Sequence, residues 1–193
     1  MTDRAFGRLL VTGGAGFIGS CYVRDVLGRR DGTTITVLDK LTYAGVESNL
    51  DAVRTDPDLA ARLRFVKGDI ADPDVVGPLV AEADGIVNFA AESHVDRSIL
   101  DPEAFLRTGV IGVHVLLEAA RTAAHRPRFL QVSTDEVYGS IEVGHATESA
   151  PLAPRSPYAA AKAAGELLVH SYVITHGIDA VLTRRSNTYG PHQ

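Results

Sequence analysis

The stretch VTGGAGFIGS, residues 11–20, follows a short aliphatic run and leads into a segment whose apolar residues recur at helical spacing. Its glycines satisfy GxGxxG through Gly14, Gly16 and Gly19, and GxxGxxG through Gly13, Gly16 and Gly19. A glycine early in such a turn permits a tight backbone path. One at the helix start lets a pyrophosphate approach the amides, and one inside the helix lets it pack closely on the strand. Strand, glycine turn and helix in that order predict the first unit of a dinucleotide-binding sheet. The same spacing occurs in ordinary turns, so the surrounding pattern has to decide.

Outward from the turn, β-branched and aliphatic runs alternate with longer helical patterns. RLLVT (8–12), TITVLD (34–39), RFVKGD (64–69), GIVNFAA (85–91), RFLQVST (128–134) and DAVLTR (179–184) read as strands. The alternation predicts an α/β fold, a Rossmann-type doubly wound parallel sheet with helices on both faces, in one domain over residues 1–193. Helical spacing covers residues 16–30, 105–124 and 157–176, while residues 43–63 read as a loop with a short helix. The second and third helices are Ala-rich and apolar over more than one face. They are either ordinary covering helices or also pack on the same helices of a second subunit.

Asp39 ends the second strand, twenty residues after Gly19, where a carboxylate accepts hydrogen bonds from ribose hydroxyls and repels a 2′-phosphate. That points to NAD rather than NADP. A plain strand-end turn is the alternative. Asp69 and Ile70, after the third strand, fall beside the adenine, although Gly-Asp is also a common turn.

Composition narrows the setting. With 45% hydrophobic and 22% charged residues in 193, the chain reads as a soluble globular domain. One cysteine, Cys21, excludes a disulfide framework and suggests the cytoplasm, and no run of eighteen apolar residues suggests a membrane span. Net charge is −5 with scattered basic residues, unlike a nucleic-acid binder. Cys21 is expected to be a small buried side chain. Histidines 94, 114, 125, 145, 170, 176 and 192 show no HxxxH or HExxH spacing, so no metal site is expected.

Two further stretches carry chemistry. In SPYAAAKAAGE (156–166), Tyr158 and Lys162 are four residues apart and share one helix face. An ammonium beside the phenol, with a positive nicotinamide ring, favours phenolate and equips the tyrosine to take a hydroxyl proton. In VSTDEVYGS (132–140), Asp135 and Glu136 stand side by side at the end of a strand that otherwise reads as core.

The glycine turn, VLDKLTYAG (37–45), NFAAESHVDRSI (88–99), STDEVYGS (133–140), SPYAAAKAAGE and RRSNTYGPHQ (184–193) together resemble the extended short-chain dehydrogenase/reductases, and among them the dTDP-glucose 4,6-dehydratases. The resemblance runs in register from residue 8 to the last residue. It implies NAD-mediated oxidation at carbon 4 of the hexose with Tyr158 taking the hydroxyl proton, elimination of water across carbons 5 and 6, and hydride return to carbon 6. Glu136 would be the base at carbon 5, Asp135 the acid for the leaving hydroxyl, and Thr134 a hydrogen-bond partner of the carbon 4 oxygen. Two acids close together do not both ionise easily, which suits a pair that takes one proton and gives another.

The resemblance also implies that Phe17 and Ile18 meet the pyrophosphate, that Asp39, Lys40, Leu41 and Thr42 hold the ribose, and that Asp69 and Ile70 hold the adenine. Phe89, Ala90, Ala91 and Ser93 would run under the cofactor, Thr108 would approach it, and Ser93 and Asn187 would touch the substrate. The sequence departs from the family pattern at Thr188, where a second asparagine is usual, and Phe89 replaces a usual aliphatic residue. His94 belongs to the matching stretch. A homodimer through the two long helices is implied. A longer polypeptide with a C-terminal substrate-binding part is expected as well, since RRSNTYGPHQ reads as a cut edge. Other readings are a 4-epimerase or UDP-glucuronate decarboxylase on the same scaffold, and a non-catalytic dinucleotide-binding module.

Overall fold

A computed structural model describes residues 6–191 and 193; His192 and the first five residues lie outside the described residues. Six parallel strands, β1 (Arg8–Thr12), β2 (Thr34–Asp39), β3 (Leu63–Lys67), β4 (Gly85–Asn88), β5 (Arg128–Val132) and β6 (Ala180–Thr183), form one sheet. Their order is β3-β2-β1-β4-β5-β6. The chain therefore builds outward from β1 in one direction, returns, and builds outward in the other. Ligands of such sheets bind where the direction reverses, beyond the carboxyl ends of β1 and β4.

Burial on both faces explains why the strands read as near-continuous apolar runs. Leu10, Leu38, Ile86 and Phe129 face one way and pack with Val113, Leu116, Leu117 and Val169. Leu9, Val11, Ile35, Val37 and Val87 face the other way and pack with Val23, Val26 and Leu27. At the carboxyl edge the core turns polar: Thr12 Oγ1 donates to Asn88 Oδ1 at 2.6 Å, and Asn88 Nδ2 donates to Gln131 Oε1 at 2.8 Å. This ladder satisfies buried side chains and ties β1, β4 and β5 together just below the site.

The helices are α1 (Phe17–Gly28), α2 (Asp51–Arg54), α3 (Pro57–Ala60), α4 (Pro73–Glu82), α5 (Val95–Leu100), α6 (Pro102–Leu106), α7 (Val113–Thr122) and α8 (Pro157–His176), with 3₁₀ turns at Glu47–Leu50 and Asp135–Tyr138. The segment expected to hold one short helix holds two, α2 and α3. The helix expected over residues 105–124 is interrupted: a π-helical stretch, Arg107–Gly112, joins α6 to α7. Small residues there admit close neighbours. A side chain on Gly112 would come within 2.5 Å of Ile70, and one on Gly109 within 3.1 Å of Ala161.

Cys21 is exposed, not buried as expected. The buried stripe of α1 runs through Gly19, Ser20, Val23, Val26 and Leu27, and position 21 points away from it.

Helix α8 begins with Ser156, whose side chain accepts a hydrogen bond from Ala159 N, and has Pro157 in its first turn. It ends at Gly177, which takes the left-handed conformation. Gly165 lets it approach the π-helical stretch, since a Cβ there would lie 2.7 Å from the Gly109 carbonyl oxygen. Gly165→Val is expected to destabilise the protein by about 1–3 kcal/mol through overpacking against backbone. Denaturant unfolding checks this.

Candidate active site

The reversal point holds a cleft of about 660 Å³. Every residue expected at a cofactor lines it except Leu41, which turns aside. Leu41 has a positive φ of 56° and donates its N–H to Asp39 Oδ1 at 2.8 Å. The other Asp39 oxygen accepts from Ala15 N at 2.9 Å. Asp39 thus pins the glycine turn to the end of β2, and its remaining lone pairs face the cleft.

The cleft's donors suit a dinucleotide. Helix α1 opens with Gly16 as N-cap, with no side-chain cap and no acid in its first turn, so its leading N–H groups are left for an anion. Gly13, at φ +68°, lies so close to the loop after β4 that a Cβ would sit 2.6 Å from Ala90 N. The buried Ser133 hydroxyl lines the same cleft and has no hydrogen-bond partner among the described residues, leaving it for a ligand. Asp69 pairs with Lys40 at 2.9 Å and Arg107 at 3.4 Å beyond β3. Thr108 is buried in the π-helical stretch.

Beyond β5 the chain turns through Asp135 and Glu136. Thr134 Oγ1 accepts from Glu136 N and donates to Asp135 Oδ1, both at 3.3 Å, and it lies beside the Tyr158 phenol. The two acids line a second cavity beside the cleft, with Tyr138, His145 and Arg184. Burial, and then the charge of Asp135, raise the pKa of Glu136. When ionised it is therefore a stronger base than a free glutamate.

Tyr158 lines the cleft edge-on to Phe105, with ring centroids 6.3 Å apart. Its pKa lies above the usual phenol value because burial, then the charge of Glu136, outweigh the Thr134 hydrogen bond and the Arg185 cation. Lys162 is not among the charges that set this balance. The Lys162 ammonium is buried, donates to the Val132 carbonyl at 3.1 Å, and is itself pushed down to about 8 by burial and by Arg185. Asn187 is not brought to the site. Residues 186–190 are all exposed, with Tyr189 90% exposed, and Asn187 lines neither cavity.

Comparison with known proteins agrees with this geometry. The GDP-mannose 4,6 dehydratase family model matches residues 10–193. The chain belongs to that family. A dTDP-glucose 4,6-dehydratase of Streptomyces antibioticus is 57% identical over 190 residues, covering 96% of this chain and 54% of the relative. A low-salt glycan biosynthesis protein of Haloferax volcanii is 55% identical over 185 residues, covering 96% and 58%. Among solved structures, a dTDP-glucose 4,6-dehydratase of Streptomyces venezuelae with NAD bound superposes with a TM-score of 0.91 at 51% identity, covering 96% of this chain and 57% of that one. A UDP-glucose 4-epimerase of Thermus thermophilus, also with NAD, gives 0.83 at 35% identity, covering 96% and 57%. The chain spans a little over half the length of these relatives.

Within this member of the family, three cleft residues escaped sequence reasoning: Ser133, Arg185 and Tyr43. The Tyr43 hydroxyl accepts from Ser93 N at 2.8 Å and donates to the Ser93 carbonyl, while the Arg97 guanidinium stacks 3.8 Å from its ring centre. That contact joins the loops after β2 and β4. Tyr43 stood in a quoted motif, but nothing in its spacing singled it out. His94, at φ 75°, lines the same loop. Among the described residues no group of three or more His, Cys, Asp or Glu is placed to hold a metal ion.

Lys162 ties stability to pH. Below its folded pKa of about 8 the buried ammonium penalises the fold in full. As pH rises from there toward the ordinary lysine value of 10.5, the unfolded chain holds the proton the folded one has lost, and stability rises. Lys162→Met in the ligand-free protein is therefore expected to raise Tm at about pH 7 and to lose much of that gain by about pH 10, by thermal unfolding at each pH.

Proposed function

We propose that the polypeptide carrying this chain is an NAD-dependent dTDP-glucose 4,6-dehydratase, a hydro-lyase that forms dTDP-4-keto-6-deoxyglucose. The observation that carries the reading is the meeting of two constellations at one sheet edge. Tyr158 lies beside Thr134 and within reach of the Glu136 charge, and Asp135 and Glu136 follow Thr134 directly in the chain. An oxidation alone needs only the tyrosine; an elimination needs the acids as well.

When bound, NAD supplies an acceptor for the electron pair at carbon 4, its return to carbon 6, and the positive charge of its ring. Gly16 would leave its pyrophosphate room while Gly13 and Gly19 let the turn pack closely on its own backbone and the loop after β4, the amides of Phe17 and Ile18 would face it, and Asp39 would orient the adenosine ribose. Tyr158 takes the carbon 4 hydroxyl proton, aided by Thr134 and the Arg185 cation. A ketone at carbon 4 acidifies the proton on carbon 5, which Glu136 removes. Asp135 delivers a proton to the carbon 6 hydroxyl, which leaves as water. Ser93 contacts the substrate in this reading.

We place the catalytic groups and the NAD site in residues 1–193 and recognition of the nucleotide in the part of the polypeptide to which the longer relatives correspond. Among the described residues no helix is long and apolar enough to cross a membrane. We assign the enzyme to the cytoplasm with its nucleotide-sugar substrate. It is proposed to be a homodimer through the π-interrupted helix and α8, which expose Ile111 by 49%, Leu167 by 59% and Ile174 by 71%.

Incubation with dTDP-glucose is expected to give the 4-keto-6-deoxy sugar. Glu136→Gln should lower turnover by about 10²–10⁴ and accumulate reduced nicotinamide, whereas Tyr158→Phe should form none. A product epimerised at carbon 4 would transfer the assignment to an epimerase.

A further inference from the structure

Arg184, just beyond β6, closes a set of contacts that the proton transfers above do not use. Its guanidinium donates to Glu166 Oε2 from Nε at 2.9 Å and from Nη2 at 2.7 Å. Through Nη1 it also donates to Tyr138 Oη at 2.7 Å and to the Glu148 carbonyl at 3.1 Å. It lies over the Tyr138 ring, 4.9 Å from the centroid. Glu166 is buried to 2% side-chain exposure and Arg184 to 22%.

The places these residues occupy matter more than the pairing. Tyr158, Lys162 and Glu166 follow one another at four-residue steps along one face of α8. Tyr138 closes the 3₁₀ turn that begins with Asp135 and Glu136. Arg184 therefore bridges the helix that carries the proposed hydroxyl base and the turn that carries the two acids. The backbone of the same segment adds a second tie, since Asp135 N donates to the Arg185 carbonyl at 3.1 Å.

Stability alone explains this arrangement poorly. Desolvation of a buried ion pair offsets its attraction, and apolar side chains of similar volume serve a fold as well. Among the described residues Glu166 Oε1 accepts no hydrogen bond, so they do not saturate the carboxylate either. What a planar guanidinium provides is direction: its donors are fixed relative to one another, and here they point at a helix and at a turn.

We propose that Arg184, anchored by Glu166, is a positioning residue that sets the Asp135–Glu136 turn against Tyr158 so that elimination follows oxidation. This rests on the dehydratase reading. Arg184 acts through Tyr138 and the turn, so its loss should affect the elimination and spare the oxidation.

The test compares Tyr138→Phe, Arg184→Gln and Arg184→Lys in the full polypeptide that carries this chain. Tyr138→Phe removes one hydroxyl and leaves the buried ion pair intact, so it remains informative where Arg184→Gln fails to fold. In the ligand-free protein, hydrogen exchange should quicken at the amides of residues 135–139 and stay unchanged in β1 and β4. In a single turnover of dTDP-glucose, reduced nicotinamide should form at the parent rate and then persist, with elimination slowed about ten- to a hundredfold. Arg184→Lys should recover part of that loss. Equal slowing of both steps, or exchange that quickens throughout the sheet, would overturn the proposal and leave the dehydratase reading standing. A parent protein that forms no reduced nicotinamide would overturn that reading and, with it, the catalytic role given to Arg184.

Discussion

The turn at Gly13 to Gly16 comes so close to the loop after β4 that no side chain fits at position 13, and the cleft depends on this approach. A Cβ there would meet Ala90 N at 2.6 Å, and the backbone is left-handed at φ +68°. Gly13 N donates to the Leu38 carbonyl at 2.9 Å, while Asp39 holds Ala15 N from the end of β2. The glycine turn is thus fixed between β2 and β4 at the point where the sheet reverses direction. The leading amides of α1, the Asp39 carboxylate and the loop of Phe89 to Ser93 follow from that placement.

Helix α8 brings the second half of the chemistry to the same edge. Its approach relies on small residues: Gly165 and Ala161 lie against Gly109 of the π-helical stretch. The face turned inward then delivers Tyr158 to the cleft, Lys162 to the Val132 carbonyl and Glu166 to Arg184. Burial works against the charge on the first two. It raises the Tyr158 pKa and lowers that of Lys162, and the cation of Arg185 opposes the first effect and adds to the second.

What was legible in the sequence was local. The six strands, the glycine turn, Asp39 and the four-residue step from Tyr158 to Lys162 each depend on a pattern within one element or one turn. The Asp135–Glu136 pair stood out because acids are out of place at the end of a core strand. Contacts between distant segments were not legible. The Thr12, Asn88 and Gln131 ladder joins three strands, Tyr43 reaches Ser93 across fifty residues, and Arg184 meets Tyr138 and Glu166 only once β6 lies beside β5. Helical spacing also gave no sign of the π-helical stretch, which arises where Gly112 admits Ile70. The exposure of Cys21 was readable in principle from the buried stripe of α1, one position away.

If one sheet edge performs oxidation, elimination and reduction on a single sugar, the hydrogen removed from carbon 4 must never leave the molecule's active site. The measurement that decides this uses dTDP-glucose carrying deuterium at carbon 4, mixed with unlabelled substrate, with the product examined by NMR and mass spectrometry. Deuterium at carbon 6, confined to the molecules that began with it, is the predicted result. Deuterium retained at carbon 4 of an epimer, or lost to solvent, would contradict the account.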